Sequence, residues 1–137
     1  MGDFRIAVKS FVVQDGKLLI LKRTSDEVHF ADAWEIPGGR LAQGEDPFEG
    51  IKRETKEEAG IDIEVLHPMS VKHFQRQDGQ NITMINFLCK ALSSDVKTSE
   101  EHSVFEWVPV ESSKDKLDKH FHHLVDIYNK LDMHRLL

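Results

Sequence analysis

The sequence predicts an α/β or α+β domain built around a mixed β-sheet, and two kinds of local pattern carry this prediction. Asp-Gly pairs at residues 15–16 and 78–79 are typical of β-hairpin turns, and apolar, β-branched runs lie beside each of them. Two other segments, residues 47–59 and 121–131, space their apolar residues as helices do. Hairpins combined with two helices favour a sheet on which the helices pack.

The predicted strands follow from these turns and from the apolar runs between them. The first Asp-Gly turn should join two strands, and the residues before Pro37 should be extended because proline disfavours a helical conformation in its predecessor. The strand after the first helix should be interrupted near Pro68. The predicted strands cover residues 4–13, 18–22, 34–36, 61–75, 82–92 and 104–109.

The first helix has sequence signals at both ends. Asp46 is a favourable N-cap, Pro47 suits the first helical position, and Gly60 suits the position after the last turn. Its apolar face is predicted to consist of Phe48, Ile51, Thr55 and Ala59.

Length and composition limit the classes of function. The 137 residues are predicted to form one domain, 1–137, and the single cysteine, Cys89, excludes an intramolecular disulfide, which fits a reducing cytoplasm. No apolar run reaches the length of a membrane span, so we expect no membrane partner. The net charge is −6 without a basic cluster, so we expect no nucleic-acid polymer as a partner. A small phosphate ligand stays compatible with this charge if divalent cations lie between it and the protein.

Three carboxylates crowd one face of the first helix. Glu54, Glu57 and Glu58 lie at i, i+3 and i+4, so they project within about one turn, where like charges repel. Several oxygen ligands on a rigid element suit Mg²⁺ or Mn²⁺, usually together with substrate phosphates. The alternative is a solvated helix face, on which Glu49, Arg53 and Glu57 form a ladder of alternating charge.

The residues around these carboxylates form a longer pattern, Gly-x5-Glu-x7-Arg-Glu-x2-Glu-Glu-x-Gly. The pattern resembles the signature box of the Nudix hydrolases, and the segment WEIPGGRLAQGE resembles the MutT-like branch of that family. The matching positions are Gly39, Glu45, Arg53, Glu54, Glu57, Glu58 and Gly60. Thr55 departs from the family, which more often has an aliphatic residue there, and the change should affect packing rather than chemistry. The resemblance extends to about Val110 and implies a Nudix-type α/β/α sandwich around a mixed sheet.

The resemblance also implies roles for residues of the box. Glu54, Glu57 and Glu58 match the positions that hold the metal ions, and Glu54 matches a position at or near the general base. Gly38 should offer its backbone carbonyl to the metal. Gly39, which follows it in a predicted glycine loop, should allow the close approach of substrate.

Two further residues of the box should support the catalytic ones. Arg53 should point away from the metal face and pair with Glu45, which would hold the loop and the helix together. Gly60 should be structural, because it ends the helix.

Residues outside the box are predicted less directly. By resemblance, Glu101 lies where the MutT-like branch places a further acid, six residues before Trp107, and would be a metal ligand or the base. The adjacent Glu100 stays open as the alternative. Lys22 and Arg23 end the second strand and are candidates for contact with substrate phosphates, although a surface position is the ordinary explanation for a basic residue.

The resemblance implies an enzyme that hydrolyses a nucleoside diphosphate linked to another group, with Mg²⁺ or Mn²⁺ as cofactor. The residues that mark the ADP-ribose and diadenosine-polyphosphate branches after the box are absent. The expected reaction is therefore hydrolysis of a nucleoside triphosphate to a monophosphate and pyrophosphate. Hydrolysis of ADP-ribose or a nucleotide sugar stays open as the alternative, and so does a nucleotide-binding module without catalysis. Many relatives form dimers, so a homodimer also stays open.

Overall fold

The computed structural model describes residues 3–24, 33–100 and 102–137. In these residues four strands precede the first α-helix and three more precede the second, a mixed α and β fold that confirms the predicted class. The strands are β1 (Phe4–Gln14), β2 (Lys17–Arg23), β3 (Trp34–Glu35), β4 (Gly38–Arg40), β5 (Ile63–Gln75), β6 (Asn81–Ala91) and β7 (His102–Pro109). The α-helices are α1 (Pro47–Ala59) and α2 (His122–Lys130), and 3₁₀ segments cover Val110–Asp115, Lys119–Phe121 and Met133–Leu136. No helix in this described part of the chain has the length and apolar content to cross a membrane.

The sheet divides into two branches beside its central strand β1, and the candidate site described below lies near this division. The strand order is β3-β2-β1-β6-β5, in which β1 and β6 are parallel and the other pairs are antiparallel. β1 pairs with β2 only at their hairpin turn; farther along, residues 7–9 of β1 pair with β4, whereas β2 pairs with β7. The segment from β3 to β4 therefore crosses from one branch of the sheet to the other.

The glycine pair after Pro37 forms part of a strand and not the predicted loop. Gly38–Arg40 pairs antiparallel with residues 7–9 of β1. Glycine has little strand propensity, so the pairing partner, and not the local sequence, produces β4. The predicted interruption of β5 is confirmed, because its register on β6 shifts on both sides of Pro68.

The helix α1 has the predicted ends. The Asp46 carboxylate accepts a hydrogen bond from the backbone N–H of Glu49 at 3.1 Å. Gly60 adopts a left-handed conformation with φ 70°, and its N–H donates to the Lys56 carbonyl at 2.9 Å. The local capping signals were therefore sufficient to locate this helix.

The buried face of α1 agrees with the prediction at three of four positions. Thr55 is fully buried, and its hydroxyl donates to the Ile51 carbonyl (2.7 Å) and shares a hydrogen bond with Ser10 (2.9 Å). These two bonds explain why the core tolerates a polar residue there. Phe48 is the exception, since it is 46% exposed and its ring meets that of Phe87 at 5.0 Å between centroids.

The helix α2 packs on a different core cluster from α1. Leu124, Val125 and Tyr128 are buried together with Phe11 and Ile20, whereas α1 contributes to a second cluster on the other side of the sheet. The two helices thus enclose the sheet, as the predicted α/β/α arrangement requires. The second helix is one residue shorter at each end than predicted, and at its start Phe121 belongs to the preceding 3₁₀ segment instead.

Candidate active site

One depression in the described surface gathers the crowded carboxylates. Glu54, Glu57 and Glu58 of α1 line it together with Ser99 and Glu100, which precede β7. Helical spacing brings the first three acids together, as the sequence predicted, and the chain before β7 adds a fourth. Carboxylates that share one space repel each other unless cations are near.

The three helix carboxylates differ in burial. Glu57 is exposed, with 58% of its side-chain surface accessible, Glu54 is mostly buried, and Glu58 is only 6% exposed. Burial raises the pKa of Glu58 to about 7, although the Lys9 ammonium and the Gly38 N–H, which donates to it at 3.1 Å, act in the other direction. Burial likewise raises the pKa of Glu54. An additional cation would favour the ionised form of both side chains.

The two glycines of β4 lie where a side chain would collide with the site or the sheet. A Cβ on Gly39 would lie 2.5 Å from Glu54 Oε2. A Cβ on Gly38, whose φ is 151°, would lie 2.0 Å from the Val8 carbonyl oxygen. Gly38 therefore requires glycine, whereas a side chain at Gly39 would displace the Glu54 carboxylate, which lies directly against the Gly39 backbone.

Arg53 binds the carboxylates and does not point away from them. Its Nε and Nη2 donate to the Glu45 carboxylate at 2.7 and 2.9 Å, as predicted. Its Nη1 donates to Glu57 at 3.1 Å, and its Nη2 lies 3.1 Å from Glu54 Oε1. The predicted outward orientation is wrong, because a guanidinium with five donors reaches the loop and the helix acids at once. The hydrogen bond from Arg53, with another from the Ala42 N–H, lowers the pKa of Glu45 to about 2.

A second charged cluster lies next to the first. Glu35 of β3 is only 8% exposed and contacts three basic side chains: His102 Nε2 at 2.9 Å, Arg23 Nη1 at 3.1 Å and Lys9 Nζ at 3.8 Å. Burial raises the pKa of Glu35, but the three neighbours outweigh this effect and lower the pKa to about 2. Ligand atoms of Glu35, His102 and Glu58 all lie within 4.8 Å of one another.

The sequence contains two signals for this second cluster that the prediction did not use. Lys9 interrupts the apolar run of β1, and Glu35 stands between Trp34 and Ile36. Charged residues within buried strands need partners, so each position indicates a charged neighbour elsewhere in the fold.

A family model of the NUDIX domain matches residues 3–129, and this range contains the three helix acids that line the depression, Glu54, Glu57 and Glu58. The chain belongs to the Nudix family. Nudix hydrolases act on phosphoanhydride bonds of nucleoside diphosphate derivatives and generally need a divalent metal ion, so this protein is an enzyme of that class.

Named relatives and one solved structure agree with this membership. The chain is 30% identical to the nucleoside triphosphatase NudI of Enterobacter sp. (strain 638) over 118 residues, which cover 79% of this chain and 84% of that protein. It is also 30% identical to Nudix hydrolase 5 of Arabidopsis thaliana over 115 residues, but these span only 38% of that longer protein. The crystal structure of the MutT protein from Methanosarcina mazei Go1 is similar, with a TM-score of 0.82, 25% identity and 96% of each chain covered.

The residues of the Nudix box fit a divalent metal ion. Glu54, Glu57 and Glu58 offer carboxylate oxygens, which are the ligands that Mg²⁺ and Mn²⁺ prefer. Burial raises the pKa values of Glu54 and Glu58 although Arg53 and Lys9 act in the other direction, so a bound cation would favour the ionised form of both carboxylates. The absent side chain at Gly39 allows the Glu54 carboxylate to lie against the backbone of β4.

The predicted further acid, Glu101, lies outside the described residues, so its role stays a prediction. The neighbouring Glu100 lines the depression. The Ser99 N–H donates to the Glu58 carbonyl at 3.1 Å, which attaches this segment to the end of α1. Glu100 is therefore carried by a segment that is attached beside the Nudix box.

Lys22 and Arg23 end β2 as predicted, but the two side chains have different surroundings. Arg23 donates to Glu35 at 3.1 Å, whereas Lys22 is partly exposed and lies opposite Trp34 and Val104 in the sheet. Neither is among the described residues that line the acidic depression. Their predicted contact with substrate phosphates stays a prediction.

Proposed function

We propose that this Nudix enzyme hydrolyses a nucleoside triphosphate to a nucleoside monophosphate and pyrophosphate, with Mg²⁺ or Mn²⁺ as cofactor. The observation that carries the proposal is the acidic depression, in which Glu54, Glu57 and Glu58 lie with Glu100. A triphosphate is itself highly negative, so it can approach this cluster only with cations between them. The name of the 30% identical Enterobacter protein, a nucleoside triphosphatase, supports this substrate class.

In the proposed reaction, the box residues hold the metal and keep its ligands in place. Glu54, Glu57, Glu58 and the Gly38 carbonyl are the proposed ligands, and the bound ion would supply positive charge that neutralises the phosphate oxygens. Arg53 positions Glu54 and Glu57 through its hydrogen bonds and ion pairs with them. This positioning is the catalytic contribution that we assign to Arg53.

The proposed chemistry adds water across the anhydride between the α- and β-phosphates. A new P–O bond forms to the water oxygen, the bridging P–O bond breaks, and the two products leave as monophosphate and pyrophosphate. A carboxylate accepts the proton of the water, for which Glu54 and Glu101 are the candidates. Lys22 and Arg23 are the proposed partners of the phosphate chain, and Lys22 is the better placed because Arg23 already binds Glu35.

Product identification tests the proposal directly. The enzyme is incubated with Mg²⁺ and, in separate reactions, with common and oxidised nucleoside triphosphates, ADP-ribose and nucleotide sugars. Monophosphate and pyrophosphate from the triphosphates are the expected result. Turnover of only ADP-ribose or a nucleotide sugar would support the proposed active site but contradict the proposed substrate class. Nucleotide binding without any turnover would instead favour a binding module.

A further inference from the structure

The cluster around Glu35 is outside the Nudix box, and the proposed reaction assigns no role to most of it. Glu35 and Lys9 are both buried, and the His102 side chain is fully buried. Burying several charges together costs desolvation energy that their mutual attraction often only balances. Stability alone is therefore a weak explanation for the cluster.

The cluster is electrically coupled to the acidic depression. Ligand atoms of Glu35 and Glu58 lie within 4.8 Å of each other. The Lys9 ammonium, which donates to the Ile36 carbonyl at 3.2 Å, acts to lower the pKa values of both Glu58 and Glu54. A change in the charge of this cluster therefore changes the potential at the box carboxylates.

The cluster is also mechanically connected to the depression. The His102 ring bonds to Glu35, and the His102 backbone N–H donates to the Ser99 carbonyl at 3.2 Å. The Ser99 N–H in turn donates to the Glu58 carbonyl at 3.1 Å. The segment that carries Glu100 is thus held at one end by α1 and at the other by Glu35.

We propose that Glu35 is a positioning residue of the metal site. It holds His102, and with it the segment that carries Glu100, and it neutralises Lys9 so that the ammonium does not repel the metal ion at Glu58. A second ion between Glu35, Glu58 and His102 is less favourable, because Lys9 already provides the positive charge there. The inference rests on the metal site of the proposed function and does not depend on which nucleotide is the substrate.

Direct binding of Mn²⁺ without substrate tests this role, measured from the electron paramagnetic resonance signal of the free ion. Glu35→Gln removes the carboxylate that offsets the Lys9 charge and that holds His102, and it should raise the Kd for Mn²⁺ by about 10–100-fold. Lys9→Met removes a positive charge beside Glu58 and should lower that Kd. In the double variant the loss of the Lys9 charge should offset part of this increase in Kd, and the part that remains measures the contribution of Glu35 through His102. Glu106→Gln is the control, because Glu106 lies on the same strand as His102 but is partly exposed and paired with Lys116.

Each variant is measured below its own unfolding temperature, so that lost stability is not mistaken for lost affinity. A folded Glu35→Gln variant with a Kd within about twofold of wild type would overturn the proposal. If this variant does not fold, Lys9→Met decides alone, and weaker binding than wild type would overturn the proposal. The absence of Mn²⁺ binding by the wild-type enzyme would overturn both this inference and the proposed metal site. Mn²⁺ binding without hydrolysis of any triphosphate would overturn the proposed function only.

Discussion

Replacing Gly39 with alanine should separate the activity of the enzyme from its stability. The new Cβ would lie 2.5 Å from Glu54 Oε2, 2.8 Å from its Cδ and 3.0 Å from its Oε1. Ordinary contacts begin at 3.4 Å, so the carboxylate must retreat by about 0.9 Å. Its side chain is flexible enough to do so, and φ of Gly39 lies outside the left-handed region that disfavours alanine.

The expected magnitudes follow from this geometry. Overpacking against a flexible side chain should cost about 1 kcal/mol of unfolding free energy, at the low end of such substitutions. A displacement of almost 1 Å in a catalytic group costs about 100-fold in rate, so kcat/KM should fall by about two orders of magnitude. The structure therefore predicts a folded enzyme with little activity.

The assay compares kcat/KM for the preferred triphosphate at saturating Mg²⁺ with the Tm from circular dichroism. Gly16→Ala is the matched control, because a Cβ there meets no atom within 4 Å but φ is 75°. The control should lose about 1–2 kcal/mol of stability and keep its activity. A Gly39→Ala enzyme with kcat/KM within about threefold of wild type would refute the placement of Glu54 in the catalytic site.

The remaining predictions concern pH, core packing and metal dependence. The pKa of Glu45 in the folded protein is about 2 and its ordinary value is 4.5, so its pairing with Arg53 should stabilise the fold above pH 4.5 and cease to do so as the pH falls through 2. Thermal unfolding should therefore show a lower Tm for Glu45→Gln at neutral pH and a difference that disappears in acid; equal values at neutral pH would contradict the pairing. Thr55→Val removes a buried hydroxyl bonded to Ser10 and Ile51 and should cost about 1 kcal/mol in denaturant unfolding with kcat/KM unchanged. A large loss of activity there would show that Thr55 affects the acids as well as the core. Chelation by EDTA should abolish turnover and added Mg²⁺ should restore it, whereas full activity in EDTA would exclude a metal-dependent reaction.

The Nudix box and α1 could be predicted from the sequence because their determinants are local. Asp46, Pro47 and Gly60 act within a few residues of the helix ends, and helical spacing alone places Glu54 and Glu58 on one face. The pairing of Arg53 with Glu45 was also predictable from the motif. Its simultaneous contact with Glu57 and Glu54 was not, because it depends on side-chain geometry within the folded site.

The second charged cluster could not be assembled from the sequence, because its members are far apart in the chain. Lys9, Glu35 and His102 belong to β1, β3 and β7, and they meet only because the sheet divides beyond the first hairpin. The strand at Gly38 has the same origin, since β4 exists through pairing with β1. Local sequence propensity predicts neither the charged cluster nor β4, because both form only through contacts between distant parts of the chain.

The rate of triphosphate hydrolysis as a function of Mg²⁺ concentration, compared between Glu57→Gln and Glu49→Gln, tests the central claim most directly. Both substitutions neutralise one exposed acid of α1, but only Glu57 lines the acidic depression, while Glu49 lies in the first turn near Lys52. If the crowded carboxylates hold the catalytic metal, Glu57→Gln should lose about 100-fold or more in kcat/KM, and Glu49→Gln should resemble wild type. A loss of less than about tenfold in Glu57→Gln, or equal losses in both variants, would contradict the claim.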